Sequence, residues 1–402
     1  MTSTAGSHPA HALLRPPLWV VFSITVSGIL SNTLINAPLP DIISAFGRGD
    51  GAAGLLVAAA TLPGIVVAPA IGLLADRFGR RAVLLPCLIV FGLAGLASSF
   101  APTFESLVGL RFVQGVGSAG LINLGVVLIA DYWEGADRAR VIGWNAAVLT
   151  VSVAIIPPLG GGLAALGGWR WSFAPFVLAL VAAVAVARYV RSTPRQGAHS
   201  FVEQIRGAAV VVRSPIVLGC IAFGTVFFIL TFGLILTALP LMLEQRFGLG
   251  VGLRGLVFVA PALGATLVAF NMGKLRVRFG ARRLLVAGAA LFAVGYLTMG
   301  FLPVLALVVL GAFIHGLGEG GTVPTVQELV ASASPPESRG AVVAVWVGFV
   351  RLGQTIGPLA AAASVASFGF GPTYGAGVVL AMMLAVTTAV FGSRFRPRQQ
   401  PG

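Results

Sequence analysis

The chain has 402 residues, 57% of them hydrophobic and only 9% charged, with a formal net charge of +14. Ordinary soluble domains carry roughly 25% charged residues, and a soluble protein this poor in charge could not cover its surface. That excludes a soluble enzyme, a disordered chain and a secreted disulfide scaffold, and leaves a polytopic membrane protein.

A spanning helix needs about 20 mainly apolar residues to cross a hydrocarbon core about 30 Å thick. After a polar stretch, Met1–Arg15, breaks at charge clusters and Gly/Pro runs predict twelve spans. They cover 17–39, 52–75, 82–100, 106–130, 141–166, 172–190, 215–240, 252–273, 283–302, 304–330, 340–367 and 372–392. These are too long for barrel strands of about 9–11 residues. The first carries Asn32 and Asn36, and is too long and too polar for a cleaved signal peptide. Cys87 and Cys220 lie in apolar stretches and read as small buried hydrophobes.

Basic residues gather in cytoplasmic loops. With the N-terminus inside, twenty fall on the inner side, among them Arg77, Arg80, Arg81, Arg206, Lys274, Arg282 and Arg396. Four fall outside (Arg48, Arg170, Arg246 and Arg254), and Arg111 and Arg351 lie within spans. Both termini are therefore expected in the cytoplasm. The same split accounts for the positive charge as topology and anionic-lipid contact, with no nucleic acid involved.

The segment 191–214 divides the chain into an N-terminal six-helix bundle (1–190) and a C-terminal one (215–402). An internal repeat supports the division. Gly72-Leu-Leu-Ala-Asp-Arg-Phe-Gly79 is echoed by Gly273-Lys-Leu-Arg-Val-Arg-Phe-Gly280, and Gln114-Gly-Val-Gly117 by His315-Gly-Leu-Gly318 at the same offset. Pro158 similarly lies near Pro358. Six-plus-six repeats place a substrate site near the bilayer midplane, between the halves.

These residues resemble the major facilitator superfamily over nearly the whole chain. Its loop signature matches Gly72 to Arg81, with Asp76 and Arg80, and its span-four signature matches Arg111-Phe-Val-Gln114-Gly115-Val-Gly117. Trp169-Arg-Trp-Ser-Phe173 and the stretch Asn32 to Asp41 look like spans six and one of the bacterial drug:proton antiporters of that superfamily. Two features depart from the pattern. The span-five antiporter motif reads Pro157-Pro158-Leu-Gly160-Gly161-Gly162, with Pro in place of its first Gly, and Val277 replaces the acidic residue in the second loop signature. The resemblance implies an all-α fold of 12 transmembrane helices, alternating access between two bundles, a bacterial inner-membrane location and a monomer. It also implies that Asp76 caps span eleven of the other half while Arg80 pairs with Asp131, latching the outward-facing state, with Gly72 opening the motif.

Ionisable groups at mid-membrane are expensive and read as functional. Glu319 in span ten is the expected proton-coupling residue, about 16 Å deep at 1.5 Å per residue. His315 shares its helix face, four residues away. Arg351 in span eleven lies at similar depth, so either coupling or a static Glu319–Arg351 lock fits. Arg111, Gln114, Asn32 and Asn36 can bind a substrate, with helix-to-helix glue as the alternative. Asp41, at the outer end of span one, is a further candidate for the proton. Pro157, Pro158 and Gly161 are expected to bend span five.

No Gly-x-x-x-x-Gly-Lys-[Ser/Thr] motif occurs, so ATP drive on this chain is excluded. No cofactor or metal is called for, and the proton gradient is the expected energy source. The reading is a secondary carrier, not an enzyme, exporting small hydrophobic or amphipathic molecules against protons. The alternative is a proton symporter or facilitator that takes up a small metabolite.

Overall fold

The computed structural model describes residues 15–191, 214–334 and 339–392, apart from the side chains of Asn32, Leu73, Ala341 and Phe391. The predicted inter-bundle segment lies almost wholly outside the described residues, as do Arg195, Arg206, Arg213, Arg394, Arg396 and Arg398. The regular elements of the described part are all helices.

Span one is Leu18–Thr33, followed after a turn by the short helix Leu39–Ala45. Pro38 and Pro40 explain the interruption, because each lacks the backbone donor that a continuous helix requires. Spans two to six are Gly51–Phe78, Arg80–Phe100, Phe104–Tyr132, Gly135–Gly167 and Trp169–Tyr189. In the second half come Pro215–Gln245, Val251–Phe301, Leu305–Ser332, Arg339–Phe368 and Phe370–Phe391.

Val251–Phe301 has 51 residues, about 76 Å of helix at 1.5 Å per residue, and so holds both predicted spans eight and nine. The helix runs on beyond 273, where a loop was expected, and turns at Gly280. Lys274 and Arg276 thus ride on a helical extension. Nothing between Gly273 and Phe279 breaks a helix, whereas Gly280 adopts φ 72°, a conformation open mainly to glycine. Its repeat partner Gly79 turns in the same way, at φ 89°. The sequence repeat is therefore a repeat of backbone geometry.

Span seven widens into a π-helical stretch, Thr231–Ala238, before Pro240 removes another backbone donor. The Thr237 hydroxyl donates to the Phe232 carbonyl at 2.8 Å across that wide turn.

Two apolar cores form. One gathers residues between Val20 and Val190 around Phe91, Phe173 and Phe176, joined by Phe232, Leu241 and Ala362 of the second half, and the other gathers residues between Val217 and Leu384 around Phe227, Phe292 and Tyr296. Spans three, six, nine and twelve expose large apolar residues, including Leu93, Val184, Val294 and Met383. That suits helices facing lipid.

The halves meet where span two packs along span eleven and span five packs on the start of span eight. Thr61 Oγ1 lies 3.0 Å from Thr355 Oγ1 across the first contact. At the second, a Cβ on Gly161 would stand 2.6 Å from the Val251 carbonyl oxygen, and one on Gly255 would stand 2.8 Å from that of Pro157. Span five remains one helix through Pro157 and Pro158. Its Pro/Gly run also brings the backbones of the two halves into close approach.

Candidate functional site

Glu319 lies in the middle of span ten with its side chain one-third (34%) exposed. Its Oε2 is 3.7 Å from Nε2 of His315, one turn earlier. The i, i+4 spacing of a helix brings the two together, as the sequence implies. The His315 ring is fully buried and packs on Phe292 and Tyr296 of span nine, with centroids 4.9 Å and 5.4 Å away. It faces the interior of the second bundle.

Arg351 is placed differently from expectation. Among the described residues no ion pair joins it to Glu319. It donates Nη1 to Gln354 Oε1 at 3.1 Å, and its arm crosses toward span two, where a Cβ on Gly64 would meet its Cδ at 3.0 Å. The static Glu319–Arg351 lock is therefore not formed. Depth alone suggested that pairing, but the azimuth of each residue on its helix decides it.

Arg111 is 1% exposed. It donates Nη2 to the Ser31 carbonyl at 2.7 Å and Nη1 to Gln114 Oε1. Span four is thereby tied to span one, and in this conformation the guanidinium is engaged as helix-to-helix glue. Asn36 is fully buried, and neither polar atom of its side chain has a partner among the described residues. The Asn32 side chain lies outside the described set.

Asp41, the further proton candidate, stands at the outer end of span one with its side chain 41% exposed. It pairs with Arg254, across the two halves. Arg254 reads from sequence as one of four outer-loop arginines, yet its side chain is 1% exposed. Hydropathy could not reveal this, because the burial comes from the other half of the chain.

At the opposite end, Arg80 reaches Asp76 Oδ1 at 2.6 Å and Asp131 Oδ2 at 3.1 Å. The expected Arg80–Asp131 contact is present. A cap by Asp76 on span eleven would sit beside residues 335–338, which lie outside the described residues.

A model of the Major Facilitator Superfamily matches residues 21–252 and again 221–402. The chain belongs to that superfamily. The Bacillibactin exporter of Bacillus subtilis is 25% identical over 368 residues, 84% of this chain and 86% of the exporter. Other relatives match over less. The multidrug transporter protein MdtP of Bacillus subtilis is 27% identical over 43% of this chain and 32% of its own length. The niacin transporter NiaP of Acinetobacter baylyi is 33% identical over 38% of this chain and 36% of its own. Among solved structures, a bacterial homolog of the human lysosomal transporter Spinster, inward-facing and unoccupied, superposes with a TM-score of 0.76. It is 19% identical and covers 99% of this chain and 100% of its own. A D-xylose-proton symporter gives 0.75 at 17% identity, over 92% of this chain and 96% of its own.

The superfamily's members are membrane transporters, not enzymes, and this chain is a multi-pass membrane transporter for small molecules. Within that frame the polar groups sort into two kinds. Arg111, Arg254 and Arg80 are held by partners that join helices. Glu319, in the middle of span ten, and Asn36, in the turn after span one, retain solvent-reaching or unsatisfied capacity.

Proposed function

We propose that this transporter exports small hydrophobic or amphipathic compounds in exchange for protons, with Glu319 as the proton-carrying group. Glu319 carries the reading: it is a carboxylate in mid-helix, partly open, beside a buried histidine. A carboxyl placed there can take a proton from one side of the membrane and release it to the other as the bundles rock. Asn36 contributes hydrogen-bonding capacity for a substrate, and Arg351 contributes a positive edge beside span two. The long match to the Bacillibactin exporter and the shorter matches to multidrug transporters favour export.

On this reading the chain crosses the membrane twelve times. Both termini lie in the cytoplasm of a bacterial cell, and bundles 1–190 and 215–402 are joined by 191–214. The transporter works as a monomer and needs no cofactor beyond the proton gradient. Uptake of a metabolite is the second reading, favoured by the match to a niacin transporter.

The test uses proteoliposomes with an internal pH dye, an imposed proton gradient, and a panel of amphipathic cations, neutral antibiotics and simple metabolites. Drug-dependent proton movement is expected, and it should vanish in Glu319→Gln. Movement unchanged in the variant overturns the assignment of Glu319. A response to metabolites alone makes uptake the better reading.

A further inference from the structure

Two polar side-chain pairs join the halves at one end of the molecule, Asp50–Gln245 and Asp41–Arg254, and their chemistry is unequal. Asp50 accepts from Gln245 Nε2 at 2.7 Å, a neutral-to-charged bond between exposed side chains. The Asp41–Arg254 pair is of another kind, because its guanidinium is almost wholly buried while its carboxylate is 41% exposed. Arg254 Nε and Nη1 have no partner among the described residues, so Asp41 is the one acid there to which it hydrogen-bonds. A buried cation with a single acceptor depends heavily on that acceptor, and removing one partner of such a pair is far costlier than never having built it.

The other charged groups nearby narrow the possibilities. Arg48 pairs with Glu105 within the first half, and Arg246 donates to the Gly300 carbonyl at 3.3 Å within the second. Neither is free to replace Arg254 or Asp41. Glu244 remains. It is exposed and sits on the helix Leu239–Gln245, which packs against the helix Val251–Val257 that carries Arg254. When the halves separate at this end, Asp41 leaves with the first half and Glu244 stays.

We infer that Asp41 and Glu244 are alternative partners of Arg254, and that the exchange between them sets how readily this end of the transporter opens. Closed, Arg254 is clasped by Asp41 across the halves. Open, it turns to Glu244 and to water, which offsets part of the cost of losing Asp41. The two carboxylates therefore act in opposite senses, one holding the end shut and the other favouring its opening. Asp41 is then a clasp and not the coupling carboxylate. The inference rests on the alternating-access reading, but on neither Glu319 nor the substrate.

Distance measurements test it without any substrate. Spin labels at Gly49→Cys and Pro303→Cys, both exposed at this end, are placed in a Cys87→Ala/Cys220→Ala background. Double electron–electron resonance in nanodiscs then reports the closed and open populations. Asp41→Asn is expected to shift the balance about tenfold toward the longer distance, because Arg254 loses its buried partner. Glu244→Gln is expected to shift it about threefold the other way. Asp41→Asn/Arg254→Met removes both the charge and its need, and should return within about twofold of the parent.

Glu244 is exposed, so its variant tests the inference even where Asp41→Asn folds poorly. Populations unmoved by Asp41→Asn, or Glu244→Gln opening this end, would overturn the inference. Loss of proton coupling in Glu319→Gln leaves these distances interpretable, so the two readings fail independently.

Discussion

Gly54 and Pro358 bring span two and span eleven together backbone to backbone: a Cβ on Gly54 would stand 2.5 Å from the Pro358 carbonyl oxygen and 2.9 Å from the Ala362 Cβ. Neither neighbour is the far end of a flexible side chain, so neither yields cheaply. Small residues permit this approach in membranes, where packing drives helix association. Gly54→Ala is expected to wedge the halves apart at the closed end and to cut transport about tenfold. Such overpacking typically costs about 1–3 kcal/mol. Its position at the seam keeps each bundle's own core intact, so expression and detergent stability should hold. Normal flux in Gly54→Ala would show that the contact relaxes without cost.

Arg111 offers a different kind of test. Its two bonds run to Ser31 and Gln114, both in the first half, and hydrogen bonds to charged groups are worth about 1.5–3 kcal/mol each. Lysine keeps the charge but cannot reproduce the planar fork. Arg111→Lys is therefore expected to lower the melting temperature by several degrees and to reduce turnover similarly for every substrate. A rise in KM confined to anionic substrates, with stability unchanged, would instead place Arg111 in the binding site.

The span positions were legible in the sequence because they follow from apolar length and loop charge, which are one-dimensional. Span four was expected at 106–130 and forms Phe104–Tyr132, and span ten was expected at 304–330 and forms Leu305–Ser332. The repeat ending at Gly79 and Gly280 was legible too, since a tight turn leaves a glycine in the sequence. What stayed hidden depends on how the helices are rotated. Glu319 and Arg351 match in depth but face different neighbours, and Arg254 is buried only because Asp41 arrives from 213 residues away. The π-helical stretch at Thr231–Ala238 likewise has no periodic signal strong enough to separate it from an α-helix.

Arg80 links Asp76 and Asp131 at the end of the molecule opposite the closed contacts. The three side chains are 12%, 45% and 27% exposed, so water screens them and the cluster adds at most about 1 kcal/mol to stability. A change in transport there reports on switching rather than on folding. Arg80→Ala is expected to leave the melting temperature within about 2 °C of the parent. It should still slow transport several-fold by loosening the latch. Asp131→Asn should do the same, and flux equal to the parent's in both variants would sink the latch.

His315 separates packing from chemistry. Its ring packs, tilted, against Phe292 and Tyr296, and both of its nitrogens lack a hydrogen-bond partner among the described residues. An unsatisfied buried polar group costs about 1–3 kcal/mol, which a purely structural residue has no reason to carry. Phenylalanine fills the same aromatic slot without that cost. His315→Phe is thus expected to match or exceed the parent in melting temperature. If the imidazole shares the proton of Glu319, whose carboxylate is 3.7 Å away, proton-coupled flux should fall about tenfold, as expected for loss of a positioned proton-transfer group. A variant that is both more stable and fully active would reduce His315 to packing and leave Glu319 to carry the proton without it.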